Sequence, residues 1–261
     1  MRAFTLLVFI TGALGLSFPP KAYPFDPRIH SLGNTGFRGK LHAKMAPFFT
    51  KAIDVIAYGG VDVRTQEVKR YENKTILDFG CGTGFSTSDT AGSLGIDTSK
   101  EMLSEARKLF PEKDFMCGHA EKFKTSDEFD IVTCMFLMHE APSFCRKRII
   151  DNALSIAKQE VVVIDISPFY KPSKMMLDGE PYLLDYLSNI SLELTSIGFQ
   201  EDVVVKGHVH RWTYKIPDVI YIEYDDNDDM YPIPTGRTVT EEKYEEPYEY
   251  SYEYTMNNYY G

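Results

Sequence analysis

The sequence feature that most constrains the fold is residues 75–85, an apolar run followed by an acid and by glycines at alternate positions. An apolar run that ends in Asp78 predicts a buried parallel strand, and the glycines after it predict a tight turn into a helix. Because Gly80, Gly82 and Gly84 lack a Cβ atom, a ligand can lie against the main chain there. A carboxylate at the carboxyl end of a strand suits a cationic group better than a phosphate, which disfavours a dinucleotide.

The segment Asp78-Phe-Gly80-Cys-Gly82-Thr-Gly84 resembles the first motif of the class I S-adenosylmethionine-dependent methyltransferases. It departs from the dinucleotide fingerprint Gly-x-Gly-x-x-Gly, because the third glycine comes one residue early. The resemblance implies an α/β fold with a doubly wound, seven-stranded, mostly parallel Rossmann-like sheet and a C-terminal antiparallel hairpin. It also implies S-adenosyl-L-methionine as the cofactor, with its methionine end at Asp78, Gly80, Cys81, Gly82 and Gly84. A purely structural turn is the alternative for this loop.

Residues 93–99 predict a second strand that ends in Asp97, followed by a helix that Ser99 caps. In the family that the first motif resembles, the acid at this position binds the ribose hydroxyls. The residues just after it pack on adenine, which implies cofactor contacts for Thr98 and Met102. The alternative for Asp97 is a plain carboxylate at a strand end.

Residues 114–121 predict a third strand and its exit loop. The family pattern here is Gly-Asp-Ala-Glu, whose aspartate accepts a bond from the adenine amino group, but this chain has His119 instead. A neutral imidazole can also accept that bond. The resemblance therefore implies adenine contacts for His119, for the backbone amide of Ala120 and for the carboxylate of Glu121.

The fourth strand, predicted over residues 129–136, runs into Phe136-Leu-Met-His139-Glu-Ala-Pro142. This loop resembles the Phe-x-x-His-Glu-x-Pro loop of small-molecule methyltransferases, which faces the sulfonium in that fold. We therefore assign Met135 to the cofactor site, and His139 to both catalysis and substrate binding. His139 either acts as a general base, because its ordinary pKa lies near neutrality, or orients the loop.

The remaining elements complete the sheet that the family shows, and the resemblance covers residues 75–216. The sequence predicts a helix at 142–158, a buried strand at 160–166, a helix at 181–197 and strands at 202–206 and 209–216. The predicted substrate contacts lie in aromatic-rich segments beside the cleft: Tyr58, Tyr170, Glu180 and Tyr182, with His30, Phe37 and His42 as further candidates. Ordinary packing is the alternative for each of them.

Only residues 86–93 separate the glycine loop from the second strand, so the helix between them has one or two turns at most. We expect residues 18–70 to form a helical cap that covers the exposed face of the sheet. His208 and His210 share one face of a predicted strand, but no third ligand lies nearby in the sequence. The sequence therefore predicts no metal site.

Residues 1–17 predict a signal peptide, because one basic residue precedes an apolar run too short to span a bilayer comfortably. An uncleaved anchor and a buried helix are the alternatives. The junction Gly-Leu-Ser-Phe-Pro resembles the start of bipartite plastid-targeting sequences in algae with complex plastids. We expect entry into the secretory pathway and passage onward to a plastid, without stable membrane insertion after cleavage. A cytoplasmic location is the alternative, and four cysteines without closely spaced pairs favour free thiols.

Residues 221–261 hold eleven acidic against two basic residues and ten of the seventeen tyrosines. This tail carries nine of the ten net negative charges, so the domain at 71–218 is nearly neutral. With hardly any aliphatic residue to bury, the tail is predicted to be disordered. Edge-strand pairing or binding of a basic protein partner is the alternative. Its charge opposes binding of DNA or RNA.

These features imply an enzyme that transfers a methyl group from S-adenosylmethionine to a small molecule. Oxygen, nitrogen, sulfur and carbon acceptors share the fold, so the acceptor atom stays open. The alternative from another class is a catalytically inactive module that keeps the cofactor fold and docks a basic partner through its acidic tail. Such a module would be expected to have a broken first motif, and this motif is intact. A nicotinamide or nucleotide-sugar enzyme would need phosphate recognition, which Asp78 opposes.

Overall fold

The computed structural model describes residues 33–217, together with Tyr23, Asp26 and residues 28–31. The predicted signal peptide and the predicted acidic tail lie outside these residues. Within the described part of the chain, no helix is both long and apolar enough to cross a membrane. All four cysteines are free, as their spacing predicts: Cys81, Cys117, Cys134 and Cys145.

Seven strands form one sheet. In chain order they are β1 (Ile76–Phe79), β2 (Leu94–Asp97), β3 (Phe115–Cys117), β4 (Phe129–Met135), β5 (Ala157–Ile166), β6 (Gln200–Val205) and β7 (Val209–Lys215). The sheet order is β3-β2-β1-β4-β5-β7-β6, with the first five strands parallel and β7 antiparallel to both of its neighbours. The predicted seven-stranded, mostly parallel sheet with an antiparallel hairpin is confirmed.

Six α-helices accompany the sheet in the described residues. They are α1 (Gly36–Ile56), α2 (Val63–Lys69), α3 (Lys100–Leu109), α4 (Ser143–Ile156), α5 (Lys174–Gly179) and α6 (Leu183–Thr195), with short 3-10 turns at Ile29–Ser31 and Met138–Glu140. Ser99 caps α3 as predicted, because its Oγ accepts a bond from the amide of Met102 at 3.1 Å. The sequence analysis did not predict α5, which begins behind a similar cap at Ser173.

Alternate residues of the central strands build two cores, one on each face of the sheet. Leu77 and Phe79 of β1 belong to the core that also contains Ile150 of α4 and Ile190 of α6. The opposite face carries Ile76, Ile131 and Val162, which pack with Tyr58 and Val63 of the segment before β1. The central strands are therefore covered on both faces.

The connection between β1 and β2 differs from the prediction. We expected a helix of one or two turns, but the structure has only turns and bends over residues 80–93. Side chains hold this connection in place: Ser93 Oγ accepts a bond from the amide of Ile76 at 3.0 Å. Gly95 of β2 is part of the same contact, because a Cβ there would lie 2.6 Å from Thr87 Oγ1. The loop packs directly on the strand and leaves no room for a helix between them.

Helix α1 lies against α3. The amide of Gly36 donates to Glu101 Oε1 at 2.8 Å, and Ser99 Oγ donates to the carbonyl of Asn34 at 2.5 Å. These bonds fix the beginning of α1 beside the end of β2. Phe37 of α1, one of the further substrate candidates, is 85 % exposed. Its substrate contact stays a prediction.

Candidate functional site

The three glycines of the first motif have left-handed backbone angles: Gly80 (φ +73°), Gly82 (φ +51°) and Gly84 (φ +87°). The amides of Gly80 and Cys81 donate to the carbonyl of Ile96 at 2.9 and 3.0 Å, so the loop folds back onto β2. A Cβ at Gly80 would lie 2.8 Å from Leu137 Cδ1, whereas one at Gly82 would meet nothing within 4 Å. The main chain at Gly82 is therefore open to a ligand.

Asp78 lies beneath this loop and is fully buried. Its carboxylate accepts hydrogen bonds from three hydroxyl groups, Ser86 and Thr87 at 2.8 Å and Thr133 at 3.0 Å. Burial raises the pKa of Asp78 to about 6, against the opposing effect of these bonds. Asp78 thus ties the glycine loop to the sheet. The direct cofactor contact predicted for it stays a prediction.

Asp97 ends β2 beside the loop and is half-buried. Its Oδ2 accepts a bond from the amide of Gly82 at 2.9 Å, and its Oδ1 accepts one from the amide of Ser99 at 2.7 Å. Burial raises the pKa of this carboxyl, and the backbone bonds oppose the rise. Asp97 is held rigidly, and its oxygens keep lone pairs that can accept from a diol.

A cavity of about 200 Å³ lies between the glycine loop, the carboxyl ends of the parallel strands and α1. This is the edge at which open α/β sheets bind their ligands. The predicted cofactor residues on its wall are Gly80, Cys81, Gly82, Asp97, Thr98, Met102, Ala120 and Met135. Helix α1 supplies His42, Ala46 and Thr50, and His30 and Asn34 precede it on the same wall.

Four predicted cofactor residues are not on the cavity wall: Asp78, Gly84, His119 and Glu121. The carbonyl of His119 accepts a bond from the amide of Phe123 at 2.9 Å, which closes the turn after β3. Glu121 accepts a bond from the amide of Tyr23 and lies 3.7 Å from Arg148 Nη1. These contacts hold His119 and Glu121 in place. The cofactor contacts of all four residues stay predictions.

His139 is buried and is not on the cavity wall. Its Nδ1 lies 2.6 Å from Asp165 Oδ1, and the amides of Met138 and His139 donate to Asp165 Oδ2 at 2.8 and 3.2 Å. Burial lowers the pKa of His139, but the Asp165 carboxylate outweighs it and raises the pKa to about 9. A charged ring has no lone pair to take a proton, so this geometry favours the orienting role over the general base.

Two predicted substrate residues contact the cavity wall through a neighbour. The ring of Tyr58 stacks on that of Phe136 with a centroid distance of 6.2 Å. Glu180 Oε1 lies 2.8 Å from His30 Nε2. Phe136 and His30 both line the cavity, so Tyr58 and Glu180 contact the wall through these neighbours.

The other two predicted substrate residues contact groups that are not on the wall. The ring of Tyr170 lies 5.7 Å from that of His208. Tyr182 Oη donates to Asp26 Oδ2 at 2.8 Å and accepts from Tyr23 Oη at the same distance. Their substrate contacts stay predictions.

The structure also places on the wall several residues that the sequence analysis did not assign to the site. Glu140 faces the cavity although its neighbour His139 does not, because adjacent residues of a 3-10 turn point about 120° apart. Arg64 lies with its guanidinium carbon 4.1 Å from the ring centroid of Phe136. Phe136 has a φ of +57°, a conformation that is rare outside glycine and is concentrated at functional sites. Glu140 and Phe136 belong to the sequence motif around His139, so that motif could have identified them as candidate site residues.

The wall residues suit S-adenosylmethionine. Asp97 offers a fixed carboxylate for the ribose hydroxyls, and the bare main chain at Gly82 admits close approach. Met102 and Ala120 add apolar side chains to the wall, and Met135 lies at the end of β4. Polar and apolar parts of the cofactor thus each have a matching part of the wall.

Comparison with known proteins agrees with this assignment. Residues 76–160 match the family described as "Methyltransferase domain". The ubiquinone biosynthesis O-methyltransferase of Hydrogenovibrio crunogenus is 33% identical over 99 residues, which are 31% of this chain and 39% of that protein. The protein of the same name from Aromatoleum aromaticum is 37% identical over 79 residues, 26% of this chain and 34% of that protein. The match thus spans less than two fifths of the length of these relatives.

Among solved structures, the magnesium protoporphyrin IX methyltransferase of Synechocystis superposes with a TM-score of 0.43 at 17% identity, over 72% of this chain and 88% of that chain. The family match covers β1 to the middle of β5 and includes both the glycine loop and Asp97. Residues 76–160 of this chain therefore match a methyltransferase domain, which agrees with the resemblance carried by the first motif and with S-adenosyl-L-methionine as the predicted cofactor.

Proposed function

We propose that this protein transfers a methyl group from S-adenosylmethionine to a small-molecule acceptor. The observation that carries the proposal is a cavity whose wall combines two kinds of residue. Gly82 and Asp97 suit the cofactor, and His30 and Glu140 add polar side chains to the same wall. A donor and an acceptor that both bind there would be held close together, which is the proximity that methyl transfer needs.

The side chains of this protein bind and orient, and the cofactor supplies a methyl carbon already activated by its positively charged sulfur. We assign the ribose to Asp97 and the methionine end to the loop at Gly80, Cys81 and Gly82. The ring of His139 is held by Asp165 and keeps the loop after β4 in position. Helix α1 lines one side of the cavity, and we assign to it the role of limiting the access of water to the reacting groups.

An oxygen acceptor is the form of this function that we favour. Both curated relatives are named as O-methyltransferases, and this similarity supports transfer to oxygen. Glu140 gives the cavity an acidic side chain, and burial raises the pKa of Glu140 to about 7. An acidic side chain on the wall can form a hydrogen bond with an acceptor hydroxyl.

Calorimetric titration with S-adenosylhomocysteine tests the cofactor site. We expect the full chain to bind with micromolar affinity and Asp97→Asn to lose at least tenfold, because the amide cannot accept two hydroxyl protons with both atoms. Asp151→Asn is the matched control, since Asp151 is exposed and pairs only with Lys147. Equal affinities in all three proteins would contradict the assignment of Asp97.

Methyl transfer itself is tested by incubating the protein with S-adenosylmethionine and a panel of phenols, catechols, amines, thiols and carboxylic acids. A mass increase of one methyl group on a phenol or catechol is the expected result. A protein that binds S-adenosylhomocysteine but methylates no compound in a broad panel would favour the inactive module.

A further inference from the structure

Three side chains with metal-ligating atoms converge on the cavity from distant parts of the chain. His30 Nε2 lies 2.8 Å from Glu180 Oε1 and 3.4 Å from Glu140 Oε1. One ligand atom from each residue lies within 4.8 Å of the other two. Within the described residues, this is the one group of three such side chains. His208 and His210, the pair noted in the sequence, do not belong to it.

The two carboxylates of the cluster are largely buried and incompletely hydrogen-bonded. Only 7% of the Glu180 side chain and 19% of the Glu140 side chain are exposed, against 37% for His30. Glu180 Oε2 is buried without a hydrogen-bond partner among the described residues. A buried carboxylate oxygen that lacks a partner destabilises the folded protein, so natural proteins usually satisfy it. One imidazole cannot satisfy two buried carboxylates.

Each member of the cluster is held by its own element. Glu140 ends the 3-10 turn after β4, whose amides bind Asp165. Glu180 follows α5, and its carbonyl accepts a bond from the amide of Leu183 at 3.1 Å. The ring of His30 packs edge-on against that of His42 at 5.0 Å. The ligand atoms are therefore positioned before any ligand binds, which lowers the cost of binding.

We propose that His30, Glu140 and Glu180 together bind one divalent cation, with Zn²⁺ as the best match and Mn²⁺ as the second. An imidazole nitrogen and two carboxylate oxygens are ligands that both ions accept. Two negative charges balance the ion, and the unsatisfied oxygen of Glu180 gains a partner. Three protein ligands leave a fourth position open, as in catalytic rather than structural zinc sites.

The open position has a use in the proposed methyl transfer, and this part of the inference rests on that function. His30 and Glu140 line the cavity that also holds Gly80 and Asp97. A cation there would bind the acceptor oxygen and lower the pKa of its hydroxyl, whose proton passes to water. The acceptor oxygen then forms the bond to the methyl carbon, while the carbon–sulfur bond breaks and its electron pair stays on sulfur. Acceptors with a phenolic or catecholic oxygen fit this chemistry best.

The test is a calorimetric titration of the metal-free full chain with Zn²⁺, with the bound metal counted after dialysis. Every sample carries Cys117→Ser, because the exposed Cys117 thiol would itself bind Zn²⁺. We expect one Zn²⁺ per chain, bound at least tenfold more weakly in Glu180→Gln and in His30→Gln. Glu128→Gln is the matched control, since Glu128 is 73% exposed and pairs with Lys158. It should bind Zn²⁺ as tightly as the parent.

Failure of this inference and failure of the proposed function are distinguishable. Each variant is also titrated with S-adenosylhomocysteine, which shows that it is folded and that the cofactor site is intact. Stoichiometric Zn²⁺ binding that both substitutions weaken supports the site, whether or not methyl transfer is found. No stoichiometric binding, or binding that both substitutions leave unchanged, overturns it even if S-adenosylhomocysteine binds.

Discussion

At the scale of single residues, the acids that end β1 and β2 illustrate two different uses of the same side chain. Asp78 is sealed beneath the glycine loop by three hydroxyl groups, whereas Asp97 lies on the cavity wall with two backbone bonds. Both come at the end of an apolar run, so their sequence contexts are alike. Their surroundings differ, so we expect different consequences when each is replaced.

The first prediction concerns Asp78 and pH. Its folded-state pKa of about 6 lies above the unfolded value of 3.8, so the folded protein gains stability as pH falls through this window. Relative to Asp78→Asn, which does not titrate, the parent should gain up to about 3 kcal/mol between pH 7 and pH 4. Urea unfolding of both proteins at several pH values measures this difference. Asp178→Asn, at an exposed position, should show no such change, and a flat difference for Asp78→Asn would contradict the prediction.

The second prediction compares two glycines with similar backbone angles. Gly80→Ala places a Cβ 2.8 Å from Leu137 in the cavity wall, whereas Gly60→Ala, at φ +86°, places one in open space. Both substitutions should lower the free energy of unfolding by about 1–2 kcal/mol, because a residue with a Cβ atom is strained in the left-handed conformation. We expect only Gly80→Ala to lower the affinity for S-adenosylhomocysteine, by at least tenfold, as calorimetry would measure. Similar affinities in the two variants would show that the loop tolerates the added methyl group.

At the scale of elements, the structure departs most from expectation where it replaces a helix with a pinned loop. Residues 80–93 form no helix. Instead, side-chain hydroxyls hold the connection through hydrogen bonds to the Asp78 carboxylate and to the amide of Ile76.

The contact between helices α4 and α6 depends on a buried charged residue. Arg146 of α4 is 1% exposed and binds Glu193 and Asp185 of α6 as well as the carbonyl of Ala141.

The third prediction concerns this Arg146 contact. Arg146→Met should lower the free energy of unfolding by about 2–4 kcal/mol, because it removes the buried guanidinium that pairs with the Glu193 and Asp185 carboxylates. Lys147→Met, at the next position of the same helix, should change it by less than about 1 kcal/mol, since Lys147 is 75% exposed. Denaturant unfolding of both variants measures the contrast. Equal losses would contradict the prediction, because they would mean that the Arg146 ion pairs contribute no more than the exposed pair at Lys147.

At the scale of the whole molecule, two separate parts of the chain form the cavity. The sheet provides the glycine loop and Asp97, and α1 provides His42, Ala46 and Thr50 from the opposite side. All seven strands end by Lys215, ahead of the predicted acidic tail. The signal peptide, the plastid destination and a basic partner for the tail stay predictions.

The fourth prediction follows from this two-part cavity. S-adenosylhomocysteine should slow amide hydrogen exchange both in residues 80–87 and in α1, because a ligand between them restrains both. At a hundred times its dissociation constant the ligand should add about 2.7 kcal/mol and raise the melting temperature by about 5–10 °C. Asp97→Asn is the control: with a tenfold weaker affinity it should gain only about 1.4 kcal/mol at the same concentration, with correspondingly weaker protection of both segments. Protection confined to the loop would mean that α1 does not close over the bound ligand.

Local sequence determined the type of fold and much of the cofactor side of the site. Apolar runs of strand length alternate with helical spacing, which predicts an α/β fold, and the glycine loop and Asp97 follow two of these runs. The resemblance of the first motif to a known family implied the seven-stranded sheet and the cofactor residues, of which eight line the cavity.

Tertiary packing decided the rest, because it depends on residues that are far apart in the chain. Whether His139 or Glu140 faces the cavity depends on the orientation of a three-residue turn and on Asp165 in the next strand. The absent helix after β1 depends on the contact between the loop and Gly95, and the meeting of His30 with Glu180 depends on how the segment before α1 folds over the sheet. No local periodicity encodes such contacts, so the convergence of His30, Glu140 and Glu180 became visible only in the folded chain.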